Sequence, residues 1–261
     1  MGEGVDVVIK GAGEVASGVA HYLFSRGLRV VMTEISEPTT QRRTVAFAEA
    51  IFSEEIEVEG VRGKKAGCIE DIFKILGEGM IPVLVDPKGR VIEELNSPIL
   101  VDGIMAKRNL GTKKDDANLV IGLGPGFTAG EDVNAVVETD EEAEVGKVIW
   151  EGSARPNTSV PCEIEGYTSE RVLRAPTDGI FVADKKISDE VQVGERVGGI
   201  AGKEVKAGIS GTVRGIIKDG LKVTEGQKLG DIDPRGLKEF GISDRSLMVG
   251  KGVWKAINEF Q

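Results

Sequence analysis

The sequence predicts an α/β protein: an open, doubly wound parallel sheet followed by a small all-β domain. Three observations predict it. Short continuous apolar runs alternate with helical stretches through the first half, the pattern of parallel strands buried on both faces. After about residue 165 the helical periodicity disappears and Gly, Val and Lys alternate. Within that second part the chain superposes on itself without gaps, "RAPTDGIFVADKKISDEVQVGERVGGI" (174–200) on "KAGISGTVRGIIKDGLKVTEGQKLGDI" (206–232).

Taken in order, residues 5–9 read as a strand, 15–26 as a helix and 28–33 as a second strand. "PTTQRRTVAFAEAIF" reads as a second helix, with Pro38 near its start and Val45, Ala48 and Phe52 apolar. "EIEVEGVRGKKA" alternates apolar and charged residues, the mark of a small surface hairpin. "IEDIFKILGEGM" is a third helix, ended by Gly77 and Gly79. "IPVLVD", "PILVDGI" and "ANLVIGLG" are further buried strands. In the repeat, Gly179/Gly211, Gly194/Gly226 and Gly198/Gly230 recur, as expected where each copy needs the same backbone freedom. Two copies are too few for a solenoid, but they suit a β-unit folded about a pseudo-twofold axis. Apolar residues return at helical spacing near the end, so 253–260 reads as a helix, with Trp254, Ile257 and Phe260 docking it on the first domain. The expected boundaries are 1–165, 166–235 and 236–261.

Bulk properties exclude several functions. A net charge of −10 disfavours nucleic acid, whose phosphates call for a basic surface. A local anion site needs no global charge. No apolar run is long enough to span a membrane. The start, "MGEGVDVVIKGAG", lacks a basic segment followed by an apolar one, and Met-Gly without Ser or Thr at position 6 does not suit myristoylation. The two cysteines, Cys68 and Cys162, form no CxxC, and His21 is the only histidine. Structural zinc and His-dependent nucleophilic catalysis are therefore poorly supported. Few cysteines and no signal point to the cytoplasm.

Ligands of open α/β sheets bind beyond the carboxyl ends of the strands. After the first strand comes Gly11-Ala12-Gly13-Glu14-Val15-Ala16, a GxGxxA turn that opens a helix. Gly11 permits the turn, Gly13 admits a phosphate to the backbone and Ala16 lets helix and strand pack closely. Glu34 ends the second strand, where a carboxylate accepts from ribose hydroxyls. Together these predict a Rossmann-like nucleotide site, with a tight structural turn as the alternative. Glu14, inside the turn, counts against an ordinary NAD site. Arg42 and Arg43 could clamp a phosphate, although an exposed basic pair is the more ordinary reading. Later strands end in Asp86 and in Asp102, the latter followed by Lys107 and Arg108, a setting for an anionic ligand. The next ends in Gly122, Gly124 and Gly126, whose amides could converge on a phosphate. No Walker lysine follows the first turn, and no His or Tyr stands at the cleft to serve hydride transfer.

The strings "GAGEVASGVAHYL", "ILVDGIMAKRNLGTKKDDANLVIGLGPGFTAGEDVNAVVET" and "ERVLRAPTDGIF" resemble the YqeB-type accessory proteins of selenium-dependent molybdenum hydroxylases, over nearly the whole chain. Similarity to the xanthine dehydrogenase accessory factors is weaker. The resemblance implies a maturation role: helping a molybdenum hydroxylase client acquire its cofactor, with molybdopterin dinucleotide the implied ligand. The histidine that often follows "VVET" in that family is absent from "TDEEAEVGK". The repeated part resembles the two halves of a biotinyl/lipoyl-like barrel-sandwich. Lys203 stands on the hairpin between the halves, without the residues that flank a modified lysine, and reads as a turn lysine. An NAD(P)-dependent oxidoreductase and a non-catalytic docking or carrier protein stay open as alternatives. A homo-oligomer is compatible with the chain, but no residue specifies one.

Overall fold

Alternation along β1 (Val7–Lys10) shows how the main sheet is built. Val7 and Ile9 enter one apolar core and Val8 another, because successive strand side chains point to opposite faces. The computed structural model describes residues 4–158 and 160–260, so the Met-Gly start lies outside the described residues. The chain divides into two units, one of residues 1–38, 45–157 and 242–261, the other of 39–44 and 158–241.

The first unit continues with α1 (Glu14–Phe24), β2 (Val30–Glu34), α2 (Ala50–Ser53), β3 (Glu55–Val58), β4 (Val61–Ala66), α3 (Ile69–Gly77), β5 (Ile81–Val85), α4 (Val91–Leu95), β6 (Ile99–Asp102) and β7 (Leu119–Leu123). Then come β8 (Thr128–Ala129), β9 (Ala135–Val137), β10 (Val148–Ile149) and β11 (Gly152–Ser153). A nine-stranded sheet runs β10-β9-β7-β6-β1-β2-β5-β4-β3. Pairings from β9 to β4 are parallel, whereas β10–β9 and β3–β4 are antiparallel.

This corrects the expected Rossmann-like, doubly wound parallel sheet. The sheet is mixed, and its crossovers are not all helical. β6 reaches β7 through an irregular segment, and β7 reaches β9 through β8 alone. The expected surface hairpin is part of this sheet, since β4 pairs β5. The expected second helix breaks into two 3₁₀ turns, Arg43–Val45 and Phe47–Glu49, and the single turn of α2. Its β-branched Thr39, Thr40, Thr44 and Val45 resist helix, and residues 39–44 serve the other unit. There Gln41 O accepts from Ile216 N–H, Arg42 Nη2 donates to Gly241 O and Arg43 Nε to Ile216 O. Tertiary acceptors thus override a helical pattern.

On one face of the sheet, α1 packs with the C-terminal α5 (Asp244–Glu259) over Val7, Ile9, Val30, Met32 and Ile121. The helices approach closely because Gly18 faces Ser246 and Gly250 faces Tyr22; a Cβ at either position would collide. Ser243 caps α5, accepting from Ser246 N–H, a residue type favoured there. On the other face, Ile72, Ile75, Val91, Ile92 and Leu95 of α3 and α4 cover Val8, Val31, Leu100 and Val120.

The second unit holds β12 (Val172–Arg174), β13 (Gly179–Ala183), β14 (Glu190–Val191), β15 (Arg196–Ile200), β16 (Lys203–Lys206), β17 (Gly211–Ile216), β18 (Lys222–Val223) and β19 (Lys228–Asp233). They form two four-stranded antiparallel sheets, β12-β19-β17-β14 and β16-β15-β13-β18. The repeat maps strand for strand, β12 to β16, β13 to β17, β14 to β18 and β15 to β19. Each copy lends its two outer strands to the sheet built on the other copy's long strands. Gly179 and Gly211 share φ values of 150° and 154°, so the recurring glycines do mark equivalent backbone. In place of a closed barrel, the expected biotinyl/lipoyl-like barrel-sandwich part forms two four-stranded antiparallel half-barrel sheets, and among the described residues no strand pairing joins them.

Candidate functional site

The strand order turns at β1, which lies between β6 and β2, so the carboxyl ends of β1 and β6 are where an α/β sheet opens to ligands. Gly11 takes a φ of 88°. A Cβ on it would stand 3.0 Å from the Gly103 carbonyl, and one on Gly103 would stand 2.9 Å from Ala16 Cβ. Gly11, Gly103 and Ala16 are small because the chain leaving β6 crosses directly over the β1 turn. Gly13 is the N-cap of α1, extended and without a side-chain cap.

Glu34 meets the glycine turn itself. Ala12 N–H donates to Glu34 Oε2 at 2.9 Å and Ile35 N–H to Oε1 at 2.8 Å. Burial pushes the Glu34 carboxyl above its usual range, and the two amides offset that only in part. An internal carboxylate therefore stands where the turn's amide would meet a phosphate.

Asp102 is buried and bound within the protein. Thr112 Oγ1 donates to Asp102 Oδ2 at 2.6 Å, Lys10 Nζ donates to Thr112 Oγ1 at 2.7 Å, and Ile104 N–H donates to Oδ1 at 3.2 Å. Asn109 shapes the turn that presents Thr112, accepting from the N–H groups of Gly111 and Thr112 and donating to Thr112 O. Lys10, Asp102 and Thr112 tie the segment after β6 down over the strand ends. Sequence reasoning passed over Lys10 and Thr112. The one available signal was a lysine closing the otherwise apolar "VVIK". Asp86 shapes the turn after β5, accepting from the N–H groups of Lys88 and Val91.

The second glycine cluster packs tightly. Gly122 lies under the Phe127 ring, Gly124 against the Thr139 side chain, and Gly126 under the Lys107–Arg108 backbone. Gly124 N–H donates to Val137 O at 2.9 Å. The crossing segment carries two left-handed non-glycine residues, Met105 (φ 60°) and Lys107 (φ 62°), conformations that concentrate at functional sites. Lys107 and Arg108 are exposed. Although Lys107 as a whole is exposed, its ammonium is partly desolvated; that, then the Arg245 guanidinium, holds it below its usual range, against opposing pulls from Asp140 and Glu138. The Nε of Arg245 is buried with no acceptor among the described residues. Glu138 is engaged by the N–H groups of Thr139, Asp140 and Arg155. The structure thus brings Lys107, Arg108 and the Gly126 turn together, and adds Arg245 from α5, more than half the chain away in sequence and invisible to motif reading.

A cleft of about 520 Å³ is lined by Asn109, Thr112, Lys113 and Asn134, and another of about 710 Å³ lies at the ends of β4 and β5. Both cysteines are exposed. The Cys68 thiol lies above its usual range: the Asp71 amide draws it down, but the Glu70 and Asp71 carboxylates outweigh that. Lys203 is exposed and donates to Pro176 O. Among the described residues no helix is long and apolar enough to cross a membrane, and no three His, Cys, Asp or Glu cluster to hold a metal.

No family model matches the chain. It is 47% identical over 253 residues to a protein of Escherichia coli (strain K12) described as uncharacterized protein YqeB. The match takes in 96% of this chain and 47% of that protein, so the chain spans about half the length of the curated relative it matches. Among solved structures, an aspartoacylase family protein from Mesorhizobium loti shares 10% identity at a TM-score of 0.28, covering 88% of this chain and 85% of the other. The product-bound ectoine utilization protein EutE from Ruegeria pomeroyi gives the same values. At these scores the likeness bears on neither the fold nor the activity.

Proposed function

This chain is a YqeB-type protein over the half of YqeB that it spans, and on that premise we propose that it is an accessory protein for the maturation of a selenium-dependent molybdenum hydroxylase, one that binds a nucleotide-bearing ligand of the molybdopterin dinucleotide kind. The maturation role comes from the sequence resemblance. Chemistry at the ends of β6 and β7 supports the proposed position of the ligand.

One observation carries the reading: a segment with left-handed backbone at Met105 and Lys107 sets the adjacent cations Lys107 and Arg108 over the Gly126 turn. Two cations kept together destabilise each other until an anion lies between them, and a diphosphate offers acceptors to both. The buried Arg245 Nε supplies a donor in need of such an acceptor. The residues present therefore fit the phosphates of a dinucleotide, with Lys107 and Arg245 as point and fork donors and Arg108 adding positive potential. The ligand is cargo in this reading, and the chain's task is to hold it and exclude other anions. The ribose role drawn from Glu34 loses support, because both carboxylate oxygens already accept backbone N–H groups. The NAD(P) alternative weakens with it.

Isothermal titration tests the proposal with molybdopterin dinucleotide and NAD(H) as separate titrants. The former binds, and Lys107→Ala and Arg245→Ala each weaken it about tenfold, a loss of about 1.4 kcal/mol. No binding of molybdopterin dinucleotide, with micromolar binding of NAD(H), would reject it.

A further inference from the structure

The cleft of about 710 Å³ at the carboxyl ends of β4 and β5 has the size and make-up of a small-molecule site. Its apolar wall lies on one face of the sheet, where Leu84 of β5 packs with Ile69 of α3 and Val91 of α4, while Val85 closes the strand end. Val85 is 39% exposed although Ile81 and Val83 of the same strand are fully buried. A strand in the sheet interior thus ends on an uncovered apolar side chain.

The rim is charged on the side of the turn after β5. Lys88 and Arg90 both line the cleft. Among the described residues neither side chain has an ion pair or a hydrogen bond. The turn that carries them is fixed: Asp86 accepts from Lys88 N–H at 3.3 Å and Val91 N–H at 2.9 Å, and Gly89 N–H donates to Asp86 O at 3.1 Å. Pre-set backbone lowers the ordering cost of binding. Of the cleft's carboxylates, Asp86 is engaged by that turn, while Glu70 and Glu94 stand on the helical walls. They favour a ligand that carries hydroxyl or amino donors away from its anionic end.

We propose that this cleft binds a small amphipathic anion, an apolar ring system whose body lies on Ile69, Leu84 and Val91 and whose phosphate or carboxylate meets Lys88 and Arg90. The site is separate from the Lys107–Arg245 pair and does not rest on the proposed function. Cys68 on the cleft wall reports its occupancy.

The test uses the full chain with Cys162→Ser and the fluorescent anion 8-anilinonaphthalene-1-sulfonate as probe. One probe binds per chain. Lys88→Ala/Arg90→Ala, two exposed changes that keep the fold, weakens it about tenfold, whereas Lys107→Ala leaves it unchanged. Saturating probe slows iodoacetamide alkylation of Cys68 several-fold. Displacement by adenosine monophosphate assigns the natural anionic group as phosphate, and displacement by 2-naphthoate assigns it as carboxylate. Displacement by neither, an unaltered affinity in the double variant, loss of binding in Lys107→Ala, or an unchanged alkylation rate would each overturn the proposal.

Discussion

Two buried acid–base networks, one in each unit, solve the same problem differently. At the sheet rim, Lys10 reaches Asp102 through the Thr112 hydroxyl, and its Nζ stays 3.9 Å from the carboxylate. In the β-unit, Arg171 Nη1 meets Asp231 Oδ2 directly at 3.0 Å, with Arg214 at 3.4 Å and Lys228 at 3.6 Å from the same oxygen. Arg171 also donates twice to Cys162 O. Both carboxylates are almost fully buried. Asp102 accepts on both oxygens, whereas Asp231 Oδ1 has no partner among the described residues. The hydroxyl-linked network closes a segment over strand ends where ligand is expected. The cation-rich one clamps the chain that leads into the repeat. Burial demands a partner for a charge, and here the partner makes the difference between a hydroxyl-linked tie and a cation-rich pin.

The comparison breaks most severely at the pin. Asp231→Ala leaves Arg171 buried without its counter-charge and lowers stability by about 3–5 kcal/mol, read as a fall in the urea midpoint. At the tie, Thr112→Val removes the linking hydroxyl and costs about 1–3 kcal/mol, while Thr112→Ser restores most of it. The valine variant also speeds amide exchange in residues 103–112, a readout that Asp231→Ala does not share.

A smaller effect concerns pH. Burial alone would raise the Asp233 carboxyl, but the Arg235 guanidinium fork at 2.6 and 2.9 Å and the Arg235 N–H hold it below the usual value of 3.8. The folded state therefore binds this proton less readily than the unfolded chain. Its contribution is full above the unfolded value and is lost as pH falls through the folded one. Arg235→Ala narrows that acid loss, and since Arg235 is 44% exposed the effect is below about 1 kcal/mol. Denaturation followed from about pH 5 to about pH 2, across the carboxylate range, reads it.

The smallest effect belongs to the repeat. Ile180 and Val182 of β13 are about half exposed, while their equivalents on β17 are the buried Thr212 and the largely covered Arg214. Ile180→Thr changes stability by less than about 0.5 kcal/mol. A larger loss would show that the apolar copy of this face is covered in solution.

Much of the fold was legible. Apolar runs located β5, β6 and β7, the self-match located the repeated β-unit without its individual strands, and the end-of-chain periodicity found only the second half of α5, as 253–260 against Asp244–Glu259. The second helix was not legible, because the acceptors for Arg42 and Arg43 are the carbonyls of Gly241 and Ile216. The site was half legible. Lys107 and Arg108 do meet Gly126, yet Gly122 and Gly124 are small to admit Phe127 and Thr139, and Gly126 to admit the crossing backbone.

Local pattern alone determined which stretches extend, which coil and where the chain must turn, since strand periodicity, helix periodicity and left-handed glycines depend on a few neighbouring residues. Which charges meet was decided by the tertiary structure. Lys10 with Thr112, Lys107 with Arg245 and Arg171 with Asp231 are brought together by strand order and burial, and a charge taken out of water accepts whatever partner the fold delivers.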